Sequence, residues 1–87
     1  MIENAQSVQI TLKNPTEGLA LFGPQDKFLH IIEREIDAQI FTREAEITIQ
    51  GRAAEVNSLQ QLFEVLLQLI RNNYTVTERD VVYAIEL

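Results

Sequence analysis

The fold is decided by the stretch Leu19–Asp26, which reads LALFGPQD and joins two helical segments through a tight glycine turn. Gly23 predicts the end of the first helix, because glycine readily adopts the left-handed backbone that follows a helix. Pro24 predicts the start of a second helix, because proline is favoured at the first helical position. The stretch therefore predicts two helices in immediate succession, and the other elements are placed by working outward from it.

Before this turn, the sequence predicts one strand and one short helix. Apolar and polar residues alternate from Ser7 to Lys13, which is typical of a half-buried strand. Asn14 and Glu17 predict a helix start in which Asn14 is the cap and Glu17 closes a capping box. Residues 1–6 are expected to form a loose N-terminus.

The second helix is predicted from Pro24 to Asp37, with its apolar residues on one face. Its opposite face carries three basic side chains, named here the basic strip: Lys27, His30 and Arg34. With Arg43 on the following strand, the strip is a candidate set of phosphate contacts. The alternative is a solvated helix face with local ion pairs, which is the commoner meaning of a run of charges.

A two-stranded ribbon is predicted over residues 39–43 and 46–50, with Gly51 at its end. Its alternation directs Ile40, Ile47 and Ile49 to the core and Phe41 outward. An outward aromatic ring can meet a protein partner, be covered by the N-terminal segment or stack on a base. The first two readings rank above base stacking.

A long apolar helix is predicted from Arg52 to about Asn72, followed by a loop at residues 72–74. A short final helix is predicted over 77–87, and the capping signal Thr77–Asp80 marks its start. The apolar arc of the long helix is too wide for one sheet to cover, so a second partner surface is expected. Together with Phe41, the predicted partner surface comprises Leu62, Leu67 and Leu69.

Composition places the 87 residues in one soluble globular domain, with 46% hydrophobic and 23% charged residues. The net charge of −6 works against general attraction to nucleic acid or anionic membrane. Cysteine is absent, which excludes disulfide scaffolds and thiolate sites and fits a reducing compartment. The sequence shows no signal peptide and no apolar run long enough for a membrane span, so a cytoplasmic location is expected.

The predicted order of strand, short helix, glycine turn, helix, two strands and long helix resembles the eukaryotic-type (type I) KH domain, an RNA-binding module. More closely, the chain resembles the N-terminal region of bacterial PhoH-like proteins, from about Ile10 to Leu87. The resemblance rests on residues 19–26, 40–43, 46–51 and 77–81. It implies an α+β fold of the order β-α-α-β-β-α, with a three-stranded sheet packed on helices and an extra C-terminal helix.

The resemblance also implies that a P-loop ATPase domain belongs to the same kind of protein. ATP and Mg would be cofactors of that domain, which would also be a partner of this one. The chain has no GxxxxGK[ST] motif, because Gly18, Gly23 and Gly51 are never followed by lysine. We therefore expect this chain to be non-catalytic and the final helix to lead toward the ATPase domain. It offers no nucleophile–base constellation and no metal site, since its one histidine has no second ligand.

In a KH domain, a GXXG loop clamps the backbone of single-stranded RNA. Here Gly23, Pro24, Gln25 and Asp26 occupy that loop, with Asp26 where the second glycine would stand. A carboxylate there is expected to satisfy the first amides of the next helix and to repel phosphate. Pro24 removes one further donor. The alternative is that the four residues form only an ordinary helix boundary.

Two functions remain open from the sequence. In the first, the domain positions single-stranded RNA for the ATPase domain through the loop, the basic strip and Arg43. In the second, RNA binding is lost and the domain serves protein interaction, against the ATPase domain or as a homo-oligomer.

Overall fold

The structure is a computed structural model that describes residues 5–43 and 45–86. Three antiparallel strands form a sheet in the order β1–β3–β2, and helices cover one face. This confirms the predicted KH-like α+β fold. The elements, in chain order, are β1 (Ala5–Thr11), α1 (Pro15–Phe22), a 3-10 turn (Pro24–Asp26), α2 (Lys27–Glu35), β2 (Ala38–Arg43), β3 (Glu46–Arg52), α3 (Ala53–Arg71) and α4 (Glu78–Glu86).

The strand register places the apolar side chains of all three strands on the helical face of the sheet. Ile10 pairs with Ile47, and Ile49 lies between Val8 and Ile40. Ile47 and Ile49 are fully buried in the central strand, whereas Ile40 is half-buried in the edge strand. The period-two pattern of the sequence therefore predicts the sheet correctly, because one face must be buried and the other need not be.

Two predicted strand boundaries are wrong. The first strand begins at Ala5, so residues 5 and 6 are not loose, while residues 1–4 lie outside the described residues. Gly51 does not end the ribbon, because it pairs with both Gln6 and Ala38 inside β3. Gly51 has φ 157°, a backbone conformation that residues with a side chain rarely adopt, whereas an added Cβ would make only ordinary contact with Ala38 at 3.4 Å. Half of the predicted turn, Glu44, also lies outside the described residues.

Most of the wide apolar arc of α3 is covered within the domain, whereas Val65 stays 53% exposed. This helix packs against the sheet and also against α1 and α4. Six of its side chains are buried, and the ring of Phe63 meets that of Phe22 edge-on with centroids 6.2 Å apart. The second partner surface expected from the sequence is therefore supplied by the chain's own helices α1 and α4.

The C-terminus of α3 is closed by a Schellman motif. Asn73 has φ 66°, the left-handed conformation expected at the residue after a helix cap. The Asn73 amide donates to the Ile70 carbonyl over 3.0 Å, and the Tyr74 amide donates to the Leu69 carbonyl over 2.9 Å. The predicted loop at residues 72–74 is thus a defined helix stop.

A half-buried charge cluster ties α1 to the end of α3. The Glu17 carboxylate accepts hydrogen bonds from Arg71 Nε (2.7 Å) and Nη2 (3.0 Å) and from the Lys13 amide (2.7 Å). These bonds lower the pKa of Glu17 to about 2, with the Arg71 hydrogen bond as the largest cause. The predicted Asn14 cap is present, because Asn14 Oδ1 accepts a hydrogen bond from the Glu17 amide. The predicted capping box is not closed, because the Glu17 carboxylate accepts from the Lys13 amide rather than from the Asn14 amide.

The final helix begins with a reciprocal capping box. Thr77 Oγ1 accepts from the Asp80 amide over 3.3 Å, and Asp80 Oδ2 accepts from the Thr77 amide over 2.9 Å. The hydrogen bond from the Thr77 amide is the largest cause that lowers the pKa of Asp80. One face of the helix is inward, where Val81 is fully buried. The capping signal in the sequence is therefore confirmed.

Candidate nucleic-acid interface

The turn between α1 and α2 has an unusual backbone. Gly23 adopts φ 79° and ψ 176°, a conformation open essentially to glycine alone. Gln25 and Asp26 follow with φ of 55° and 59°, both in the left-handed region. The second helix therefore starts at Lys27 rather than at Pro24, and it ends at Glu35 rather than at Asp37. The predicted uninterrupted restart is wrong because Pro24–Asp26 forms a separate 3-10 turn.

Packing as well as backbone geometry requires glycine at position 23. A Cβ atom there would lie 2.7 Å from the ring of Phe28, a contact that real side chains do not make. Phe28 is itself buried in the core, so its ring cannot move aside without opening a cavity. The turn is therefore in direct contact with the core, because Gly23 packs against the buried ring of Phe28.

Asp26 does not act as the predicted helix cap. Its amide donates to the Gly23 carbonyl over 3.2 Å, but within the described residues its side chain makes no capping hydrogen bond to α2. The carboxylate is exposed. The first amides of α2 are therefore not occupied by Asp26, although its charge stays beside them.

The three residues of the basic strip are exposed along α2, but they differ in their partners. Lys27 Nζ lies 2.7 Å from Glu78 Oε1 of α4, and both side chains remain more than half exposed. Among residues 5–43 and 45–86, neither His30 nor Arg34 has an acidic group within ion-pairing distance. The expected ion pairs within the helix are therefore not formed, and one pair to another helix replaces them.

Arg43 is not brought together with the basic strip. In the register of β2 and β3 it stands opposite Glu46, on the same face as Phe41. That face points away from the helices, so Arg43 and α2 lie on opposite sides of the sheet. The grouping of Arg43 with Lys27, His30 and Arg34 is wrong for this reason.

Phe41 faces outward as predicted and is 51% exposed. It pairs with Thr48, which in turn pairs with Gln9, so its neighbours across the sheet are small or polar. Of the other predicted partner residues, Leu62 and Leu67 are 6% and 3% exposed and Leu69 is half-buried. Leu62 and Leu67 therefore offer no surface to a partner, because α1, α4 and the sheet already enclose α3.

The described part of the chain contains neither a cluster of metal-ligating side chains nor a membrane-spanning helix. No group of three or more His, Cys, Asp or Glu side chains is placed to hold a metal ion within residues 5–43 and 45–86. Over the same ranges, no helix combines the length and the apolar character that crossing a bilayer demands.

The comparisons with known proteins agree on the kind of domain. No protein-family profile matches the chain. A PhoH-like protein of Bacillus subtilis (strain 168) is 39% identical over 87 residues, which is all of this chain but 27% of that protein. A crystal structure of a protein of unknown function from Aeropyrum pernix superposes with a TM-score of 0.78. It shares 19% identity over 98% of this chain and 47% of its own, which shows the fold alone.

The sequence match therefore runs through every element described above, including the glycine turn, while it spans about a quarter of its relative. The chain is therefore a small KH-like domain that is similar, over its whole length, to one part of a PhoH-like protein.

Proposed function

We propose that this domain is a non-catalytic module that makes weak contacts with single-stranded RNA for a PhoH-like protein. The observation that carries the proposal is the turn Gly23–Asp26 at the start of α2, whose first amides are not occupied by the Asp26 side chain. Amides at a helix start attract phosphate, since they carry the positive end of the helix dipole. ATP hydrolysis with Mg, in this proposal, belongs to the rest of such a protein.

The proposed contact is weak because the charge of Asp26, the net charge of the chain and the missing amide of Pro24 all disfavour phosphate binding. Asp26 places a negative charge beside the amides, and the chain as a whole carries −6. Pro24 also contributes no amide donor to the turn. Lys27, His30 and Arg34 supply the only compensation along α2 within the described residues. Binding is therefore expected at low salt and should fall steeply as salt is added.

The test is fluorescence anisotropy with a labelled oligouridine at low salt, comparing the wild type with Asp26→Asn. Asparagine tolerates the left-handed backbone but carries no charge, so this variant isolates the repulsion. A like charge about 4 Å away in water costs about 1 kcal/mol, which predicts about fivefold tighter binding.

Glu64→Gln is the matched control, because it removes one exposed negative charge on α3, which does not pack on the turn. Its affinity should equal that of the wild type. The proposal is overturned if neither the wild type nor Asp26→Asn binds at low salt. It is equally overturned if Lys27→Glu leaves the affinity unchanged.

The second candidate function is assembly, against the ATPase part of a PhoH-like protein or as a homo-oligomer. The observation that favours it is Phe41, an exposed aromatic ring on the uncovered face of the sheet. Sedimentation velocity of the wild type and of Phe41→Ser distinguishes this function. A wild-type chain that self-associates, and a variant that does not, would support assembly, whereas two monomers at high concentration would count against self-assembly. The cytoplasmic location stays a prediction.

A further inference from the structure

The final helix lies alongside α2, on the side that carries Lys27. A groove of about 170 Å³ runs between them, and its lining includes Ile31 and Arg34 from α2 and Glu78 and Val82 from α4. At one end of this contact, Glu78 holds Lys27 through the 2.7 Å ion pair. The first basic residue after the glycine turn is therefore already neutralised by the chain itself.

We propose that Glu78 competes with phosphate for Lys27, so that α4 determines how strongly the turn engages a nucleic-acid backbone. This inference rests on the proposed function of the turn and adds a regulatory element to it. A phosphate oxygen and the Glu78 carboxylate are both anionic acceptors for the Lys27 ammonium group, and the two anions repel each other when both lie beside it. Phosphate binding should therefore weaken the contact between Lys27 and Glu78.

The exposure of the pair makes such displacement possible. The Lys27 and Glu78 side chains are 58% and 52% exposed, so water screens their attraction. The helix that carries Glu78 is anchored by only one fully buried residue, Val81, and by the capping box at Thr77. The Lys27–Glu78 ion pair therefore forms in the free domain and is weak enough to break when a polyanion binds.

The coupling works in both directions. If Glu78 lowers the affinity of Lys27 for phosphate, bound phosphate must weaken the docking of α4 by the same factor. For an exposed pair, that factor is about two- to fivefold. Weaker docking of α4 then reports that nucleic acid is bound at the turn.

The test is a double-mutant cycle read by anisotropy with labelled oligouridine at low salt. The four proteins are the wild type, Glu78→Gln, Lys27→Gln and the double variant. Glu78→Gln should tighten binding about two- to fivefold, and it should have a clearly smaller effect when Lys27 is already glutamine. Glu64→Gln is the charge-matched control, since α3 packs on the sheet, α1 and α4 rather than on the turn.

The outcomes separate this inference from the proposed function. Binding by the wild type that is unchanged in Glu78→Gln overturns the role of Glu78 and leaves the turn as the binding site. An equal gain in Glu64→Gln, or an undiminished gain in the Lys27→Gln background, shows a general charge effect and also overturns it. Absence of binding by every variant, including Asp26→Asn, overturns both.

Discussion

Glycine is required at position 23 both by the backbone conformation and by the packing of Phe28 against it. Its φ and ψ exclude ordinary residues, and an added methyl group would overlap the ring of the buried Phe28. A non-glycine residue in this backbone conformation costs about 1 to 3 kcal/mol, and overpacking of a core adds about 1 to 3 kcal/mol. The identity of the turn is therefore tied to the stability of the whole core.

Gly23→Ala should lower the free energy of unfolding by about 2 to 6 kcal/mol. The measurement is urea denaturation, with Gly18→Ala as a control. Gly18 lies inside α1, where alanine favours the helix and the new methyl group would meet only the end of Leu12 at 3.3 Å. Equal stability losses in the two variants would show that the turn imposes no special constraint.

Glu17 should make the domain sensitive to acid. Its folded-state pKa of about 2 lies below its ordinary value of 4.5, so its ion pair with Arg71 stabilises the fold fully above about pH 4.5. That contribution is lost as the pH falls from there toward 2. In Glu17→Gln the free energy of unfolding should drop by about 1 to 3 kcal/mol at pH 7, and its decline between pH 5 and 2 should be shallower than in the wild type.

The control for this prediction is Glu64→Gln, which removes an exposed carboxylate on α3. That variant should follow the wild-type curve of stability against pH. Parallel curves for the wild type and Glu17→Gln would contradict the role assigned to the cluster of Glu17, Arg71 and Lys13.

At the level of helices, α4 is the element held by the fewest buried contacts, so its capping box matters more than usual. Asp80→Ala removes the acceptor for the Thr77 amide and should therefore weaken the first turn of α4. Hydrogen exchange should show faster exchange in α4 while α3 is unchanged. Uniformly faster exchange in both helices would instead mean that α4 unfolds only with the rest of the domain.

Local signals in the sequence predict elements better than their contacts. Asn14, Gly23 and Thr77 mark helix ends correctly because a cap involves only residues three or four positions away. The Glu17–Arg71 pair spans 54 residues and leaves no periodic trace, so it could not be foreseen. The pair of Lys27 with Glu78 was missed for the same reason. Left-handed Gln25 and Asp26 were missed because Pro24 followed by polar residues reads as a regular helix start.

At the level of the whole molecule, periodicity shows that α3 is buried broadly but not what buries it. Leu62 and Leu67 were therefore assigned to a partner, whereas the chain's own α1 and α4 enclose that helix. The same limit applies to Arg43, whose side of the sheet follows from the register with β3. The turn with its basic strip and the ring of Phe41 are exposed on opposite faces, and these two surfaces correspond to the two candidate functions.

The most direct measurement is an NMR titration of the isotope-labelled domain with oligouridine at low salt, following each backbone amide. RNA contact at the turn predicts that the largest shift changes fall on Gly23 and residues 25–30, with smaller changes in α4 around Glu78. Changes centred on Phe41 and the outer face of the sheet, or no changes at all, would contradict the account.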